Sequence, residues 1–94
     1  MQVRYTETAL AEIEAIFSYI AERNPAAAGA VVDVIETTVA RLEMFPESAR
    51  ATDEPGVRMV PAGRFPYLIF YEMAGDELRI LRVIHGARLR PWEG

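Results

Sequence analysis

Cysteine is absent, which excludes a disulfide framework and any thiolate metal site and makes the reducing cytosol the expected compartment. Lysine is absent as well. A phosphate-binding loop of the Walker type needs a lysine after clustered glycines, whereas Gly29, Gly56, Gly63, Gly75 and Gly86 are scattered, so nucleotide hydrolysis is not expected. Histidine occurs once, at His85. A lone histidine without cysteines does not supply a zinc set, and neither a metal nor a cofactor is expected. The strongly apolar run Tyr67 to Tyr71 is far shorter than the roughly 20 residues of a membrane-spanning helix, so no membrane contact is expected. The first residues mix polar and apolar types without a basic stretch leading into an apolar one, and no secretory signal is expected from them.

What is present suits a globular domain. Hydrophobic residues make up 51% and aromatics 10% of the 94 residues, with no repeat or low-complexity tract. That is enough apolar surface to offset the entropy of ordering the chain. One domain over residues 1–94 is expected, because domains commonly run to roughly 100–150 residues. All ten basic residues are arginine, and they are unevenly placed: residues 1–54 hold four against ten acids, and residues 55–94 hold six against four. The planar fork of arginine matches carboxylate or phosphate, so the second half is the candidate for an anionic partner. The net charge of −4 speaks against a nonspecific nucleic-acid binder, which requires a basic surface.

Spacing along the chain predicts the elements. Gln2 to Tyr5 alternates as a short strand, with Thr6 placed to cap a helix. From Glu7, the residues Leu10, Ile13, Phe17 and Ile20 recur at helical spacing. Asn24 and Pro25 break that helix and open a second, since proline restricts the residue before it and suits a first helical position. The second helix begins with the small residues Ala26 to Ala30, which permit close approach to the first. It continues with Val31, Val34, Ile35, Thr38, Leu42 and Phe45 along one side. A connection this short makes an antiparallel hairpin.

Residues 46–56 hold two prolines, a glycine and four charged residues, the composition of an exposed connection. Val57 to Val60, Phe65 to Met73 and Leu78 to His85 then read as strands. Turns are expected at Pro61 to Arg64 and at Ala74 to Glu77. The expected fold is α+β, in the order β-α-α-β-β-β, with the helical hairpin packed on one face of a largely antiparallel sheet. The other face is left for partners. Apolar groups there, such as Val57, Met59 and Leu81, are expected to be exposed, which makes the free protein poorly stable or oligomeric.

The candidates for chemistry are few. Ser18 and Ser48 lack a nucleophile context, and Glu7, Glu12, Glu14, Asp33, Glu36 and Glu43 fall on helix positions expected to form a solvated face. His85 has two readings: a general base, since an ordinary histidine titrates at about 6.5, or a residue that holds a turn through its ring nitrogens. Arg58, Arg64, Arg79, Arg82, Arg88 and Arg90 lie in or beside the expected sheet. Strand parity sends Arg79 and Arg82 to opposite faces, so one approaches the core side and pairs with a carboxylate. Clustering of Arg58, Arg64 and Arg88 on the open face would favour a binding role over solubilising edges.

Two segments carry a family resemblance. Arg64-Phe65-Pro66-Tyr67-Leu68-Ile69-Phe70-Tyr71 resembles the third strand of the RelE/ParE toxin superfamily. Ile80-Leu81-Arg82-Val83-Ile84-His85-Gly86-Ala87-Arg88 resembles its last strand and exit, and the likeness spans roughly residues 1–90. The superfamily implies the toxin of a type II toxin-antitoxin system, neutralised by an antitoxin. Its RelE-like members are ribosome-dependent messenger RNA endonucleases, for which Arg88, His85 and Arg64 would be the catalytic candidates here. Tyr67 stands where such enzymes tend to place a basic residue, and Leu89-Arg90-Pro91-Trp92 follows without a tyrosine. His85-Gly86-Ala87-Arg88 instead is similar to the ParE branch, which lacks the nuclease set and is associated with poisoning of DNA gyrase.

The resemblance therefore implies a non-enzymatic cytoplasmic toxin. Its partners would be a ParD-like antitoxin, in a hetero-oligomer, and gyrase. The alternatives are a RelE-type nuclease and a non-toxic interaction or plasmid-stabilisation domain. Partner-binding residues are expected among Arg58, Arg64, Tyr67, Arg79, Arg82 and Arg88. An acidic, apolar segment of the antitoxin is expected to lie across the strand half.

Overall fold

The computed structural model describes residues 1–87. Its elements are β1 (Gln2–Tyr5), α1 (Glu7–Ala21), α2 (Pro25–Met44), β2 (Arg50–Ala51), β3 (Val57–Pro61), β4 (Tyr67–Ala74) and β5 (Glu77–His85). The strands form one sheet in the order β1-β5-β4-β3-β2, in which β1 runs parallel to β5 and the other pairs are antiparallel. The α+β architecture is the expected one with a strand added: the connection from residue 46 contains β2, which pairs Arg50 with Met59 and Ala51 with Arg58. None of the described helices is long and apolar enough to cross a membrane.

Local chemistry sets the helix boundaries. The Thr6 hydroxyl accepts from the Ala9 N–H at 3.0 Å and donates to the Leu81 carbonyl at 2.9 Å, so one residue caps α1 and ties it to the sheet. The Asn24 side chain caps α2 by accepting from the Ala27 N–H, with Pro25 following where its missing donor costs nothing. The two-residue turn between β4 and β5 places Gly75 at φ +63, in the left-handed region that glycine enters without penalty.

The main core lies between the hairpin and one sheet face. Ala9, Val31, Ile35, Val39 and Leu42 from the helices meet Ile69, Tyr71, Leu78, Ile80 and Val83 from the sheet. The apolar stripe of α1 is wider than the surface it buries. Ile13, Ile16 and Ile20 pack against the core, whereas Leu10 and Phe17, expected in the same stripe, are exposed. Phe45, at the end of α2, is exposed too. On the opposite sheet face Val57, Met59, Phe70 and Ile84 form a second buried cluster, flanked by Leu68 and Leu81. The expectation that Val57 and Met59 would be exposed is thereby corrected: cross-strand neighbours such as Met59 and Phe70 bury one another.

The turn into β4 brings Gly63 against α2. Gly63 has φ +57, and a β-carbon there would stand 2.8 Å from Cγ1 of Val34. Gly63→Ala is expected to destabilise the fold by about 1–3 kcal/mol, through the left-handed backbone and the displaced valine together. Chemical denaturation checks this, and an unchanged midpoint would contradict it.

Candidate functional site

The middle of β5 departs from a regular ladder. Phe70 pairs with Arg82 but Tyr71 pairs with Ile80, so Leu81 is an extra residue in a bulge. Strand parity reverses there. Arg79, opposite Glu72, and Arg82, opposite Phe70, therefore start on the same sheet face, which corrects the expectation that they point to opposite faces. The pairing of β1 stops at Ile80, and beyond it side chains from the start of α1 close the β5 edge. Thr6 takes the Leu81 carbonyl, and the Glu12 carboxylate accepts from the Val83 N–H at 2.9 Å. Arg82 reaches around the edge and donates to the same carboxylate from Nε at 2.9 Å and Nη2 at 2.6 Å. That hydrogen bond outweighs burial and holds the guanidinium more firmly protonated than usual. Glu12 is thus a structural bridge and not part of a solvated face.

Beside this bridge runs a groove of about 700 Å³. Glu12, Ala15, Ile16 and Tyr19 line it from α1, and Tyr67, Val83, His85 and Ala87 from the sheet and its exit. Positions 12, 15, 16 and 19 share one flank because residues three, four and seven apart stack along a helix. The His85 ring meets Tyr67 edge-on, with centroids 5.5 Å apart, and its Nδ1 accepts from the Ala87 N–H at 3.0 Å. His85 therefore holds the turn out of β5 through one nitrogen while bordering the groove. At the rim, Arg23 lies over the Tyr19 ring at 5.1 Å and donates to its hydroxyl at 3.0 Å.

The other residues singled out in the sequence are dispersed. Arg58 projects to the helix side of β3 and donates to the Ala49 carbonyl at 2.7 Å, while the Tyr71 hydroxyl donates to the Pro46 carbonyl at 2.7 Å. The two pin the connection that contains β2, and burial raises the Tyr71 phenol pKa. Arg64 is exposed in the β3–β4 turn, over the Phe65 ring. Arg79 bonds Glu77 at 3.1 Å and approaches Glu72 at 3.7 Å; Glu77 also holds Arg4. Arg79 first, and then Arg4, lower the Glu77 carboxyl pKa. Arg88 and Arg90 lie outside the described residues, so the proposed grouping of Arg58, Arg64 and Arg88 falls partly outside them too. Of the expected partner-binding set, Tyr67 lines the groove and Arg82 anchors a residue that does.

Ala15, Ile16 and Tyr19 were not singled out in the sequence. Their spacing was visible, but the strand against which they form a groove was not. Chemically, the groove offers an apolar floor with two phenols, Tyr19 and Tyr67, and an imidazole at its margin. Among the described lining residues the one carboxylate is already engaged by Arg82 and the Val83 N–H, and none is an arginine.

The chain matches known proteins along nearly its whole length. Residues 3–90 match the family model described as the ParE toxin of the type II toxin-antitoxin system parDE. Y4kP, a protein of Sinorhizobium fredii named as a toxin, is 33% identical over 90 residues, covering 96% of this chain and 93% of that one. Toxin RelE2 of Caulobacter vibrioides is 34% identical over 88 residues, covering 94% and 98%. A solved chain of the chromosomal ParDE TA system from P. aeruginosa superposes with a TM-score of 0.81 at 27% identity, covering 90% of this chain and 95% of that one. Matched by the family model over residues 3–90 and by relatives a third identical to it, with the fold of a solved ParDE chain, the chain belongs to the ParE toxin family of type II toxin-antitoxin systems.

Proposed function

We propose that this toxin is neutralised by a cognate antitoxin seated in the groove between α1 and β5, and that it acts in the cytoplasm by holding DNA gyrase without carrying out chemistry. The groove carries this reading. Cleavage of a phosphodiester calls for a cation at the phosphate and a free acid-base pair. The described groove instead pairs an apolar floor with a carboxylate consumed by Arg82 and the Val83 N–H. Such a lining suits apolar anchors of another protein, with polar groups left to fix orientation. Gyrase as the target rests on the likeness of His85 to Arg88 to the ParE branch, and the antitoxin on membership of the family.

A RelE-type nuclease is the second reading, favoured by the position of His85 and Tyr67 at the groove margin. One experiment separates the two. Purified toxin is added to a gyrase supercoiling assay and, in parallel, to translating ribosomes read by primer extension. Loss of supercoiling with intact message is the expected result, and codon-specific cuts would refute it. Co-expression with a cognate antitoxin is expected to restore growth.

A further inference from the structure

We propose that the outer face of the helical hairpin, centred on Leu10, Glu14 and Phe17, is a second docking surface that takes a basic amphipathic helix of a partner protein. The inward face of α1 is complete without these residues, since Ala9, Ile13, Ile16 and Ile20 meet the core. Leu10 is nevertheless 53% and Phe17 42% exposed. Seven residues apart, with exposed Glu14 between them, they form one line along the helix. Tyr19 of the groove lies nine residues from Leu10, or about 180° around the helix, so the two surfaces are separate.

Charge identifies the occupant. Residues 7–44 carry seven acids and only Arg23 and Arg41 as cations. Arg23 is committed to Tyr19 on the groove side. Arg41 stands two residues from Glu43, about 160–200° around α2 from it, on the opposite side. Glu36 and Glu43 share the side of α2 that reaches Tyr5, whose phenol pKa is raised by burial and then by these two charges. The acidic flank of α2 is thereby turned toward β1 and the start of α1. A second copy of this face would set acids against acids, which disfavours a symmetric dimer through it. A helix with leucine-like anchors at i, i+3 or i+4, and i+7, bordered by lysine or arginine, satisfies both the apolar line and the field around it.

The test needs no natural partner. A labelled amphipathic peptide of about 18 residues, leucine on one stripe and lysine elsewhere, is titrated by fluorescence anisotropy against a peptide of equal composition with the stripe scrambled. The striped peptide is expected to bind more tightly than the scrambled one, and to weaken as salt rises. The Leu10→Ser/Phe17→Ser pair and the Glu14→Arg/Glu36→Arg pair should each weaken it at least about tenfold. All four positions are exposed, so melting temperatures should stay near wild type. Tyr19→Ala, in the groove, should leave peptide affinity unchanged. Equal affinity for the two peptides, or loss confined to Tyr19→Ala, would overturn the assignment. The readout uses neither toxicity nor antitoxin, so its failure is distinguishable from failure of the proposed toxin activity.

Discussion

Replacing Glu12 with alanine is expected to lower the stability of the free protein by about 2–4 kcal/mol, more than any other change to an outward-facing α1 side chain. The carboxylate accepts from a backbone N–H and from two N–H groups, Nε and Nη2, along one edge of a guanidinium. Alanine leaves all of these donors without their acceptor at a strand edge that β1 does not reach. The Coulombic part of the pair is discounted, because the Arg82 side chain is 34% exposed and solvent screens it. Most of the cost comes from the orphaned Val83 N–H and the loosened edge. Glu12→Gln keeps an acceptor for Val83 and should lose roughly half as much; a double-mutant cycle with Arg82→Ala isolates the ion pair. Urea denaturation reads all three, and a loss under about 1 kcal/mol for Glu12→Ala would show that the edge is closed by other groups.

The contrast between Glu12 and its neighbours shows what the sequence could disclose. Thr6 and Asn24 were legible as caps because capping is local: a short polar side chain meets an N–H three residues on. The strands expected from Val57, Phe65 and Leu78 onward were legible through their β-branched and aromatic content, the middle one starting two residues later at Tyr67, and Gly75 through the turn it permits. Register was not. The extra residue at Leu81 is defined only by the way Phe70 and Tyr71 pair across the sheet, and no parity count along β5 alone reveals it. The same bulge decides where Arg82 starts, and hence why Glu12 has a partner.

Two further misreadings have related causes. β2 is too short for a period to register, and it exists because Arg58 and Tyr71 hold the preceding connection in place. Leu10 and Phe17 fit the helical stripe as well as Ile13 and Ile20 do, yet the core covers only part of that arc. Spacing reports a possible apolar face; the neighbours decide how much of it is buried. The groove joins residues 12–19 to residues 67–87, so its halves were visible separately and its existence was not.

Replacing Ala15 with tryptophan is expected to weaken the proposed antitoxin complex at least about a hundredfold, or about 2.7 kcal/mol, while leaving the free fold nearly unchanged. Ala15 lines the groove from the exposed flank of α1. An indole there occupies space that an incoming apolar anchor needs, and no core contact is disturbed. Linkage gives a second measure of the same effect. A ligand at a hundred times its dissociation constant stabilises the native state by about 2.7 kcal/mol, and a hundredfold loss of affinity reduces that to about 0.4 kcal/mol at the same concentration. Thermal melts with and without antitoxin should therefore separate for the wild type and nearly coincide for Ala15→Trp. If toxicity resides elsewhere on the molecule, the variant should also arrest growth in cells where the antitoxin protects against the wild type. Antitoxin affinity unchanged by the indole would place the antitoxin outside the groove and return Tyr67, His85 and their neighbours to some other task.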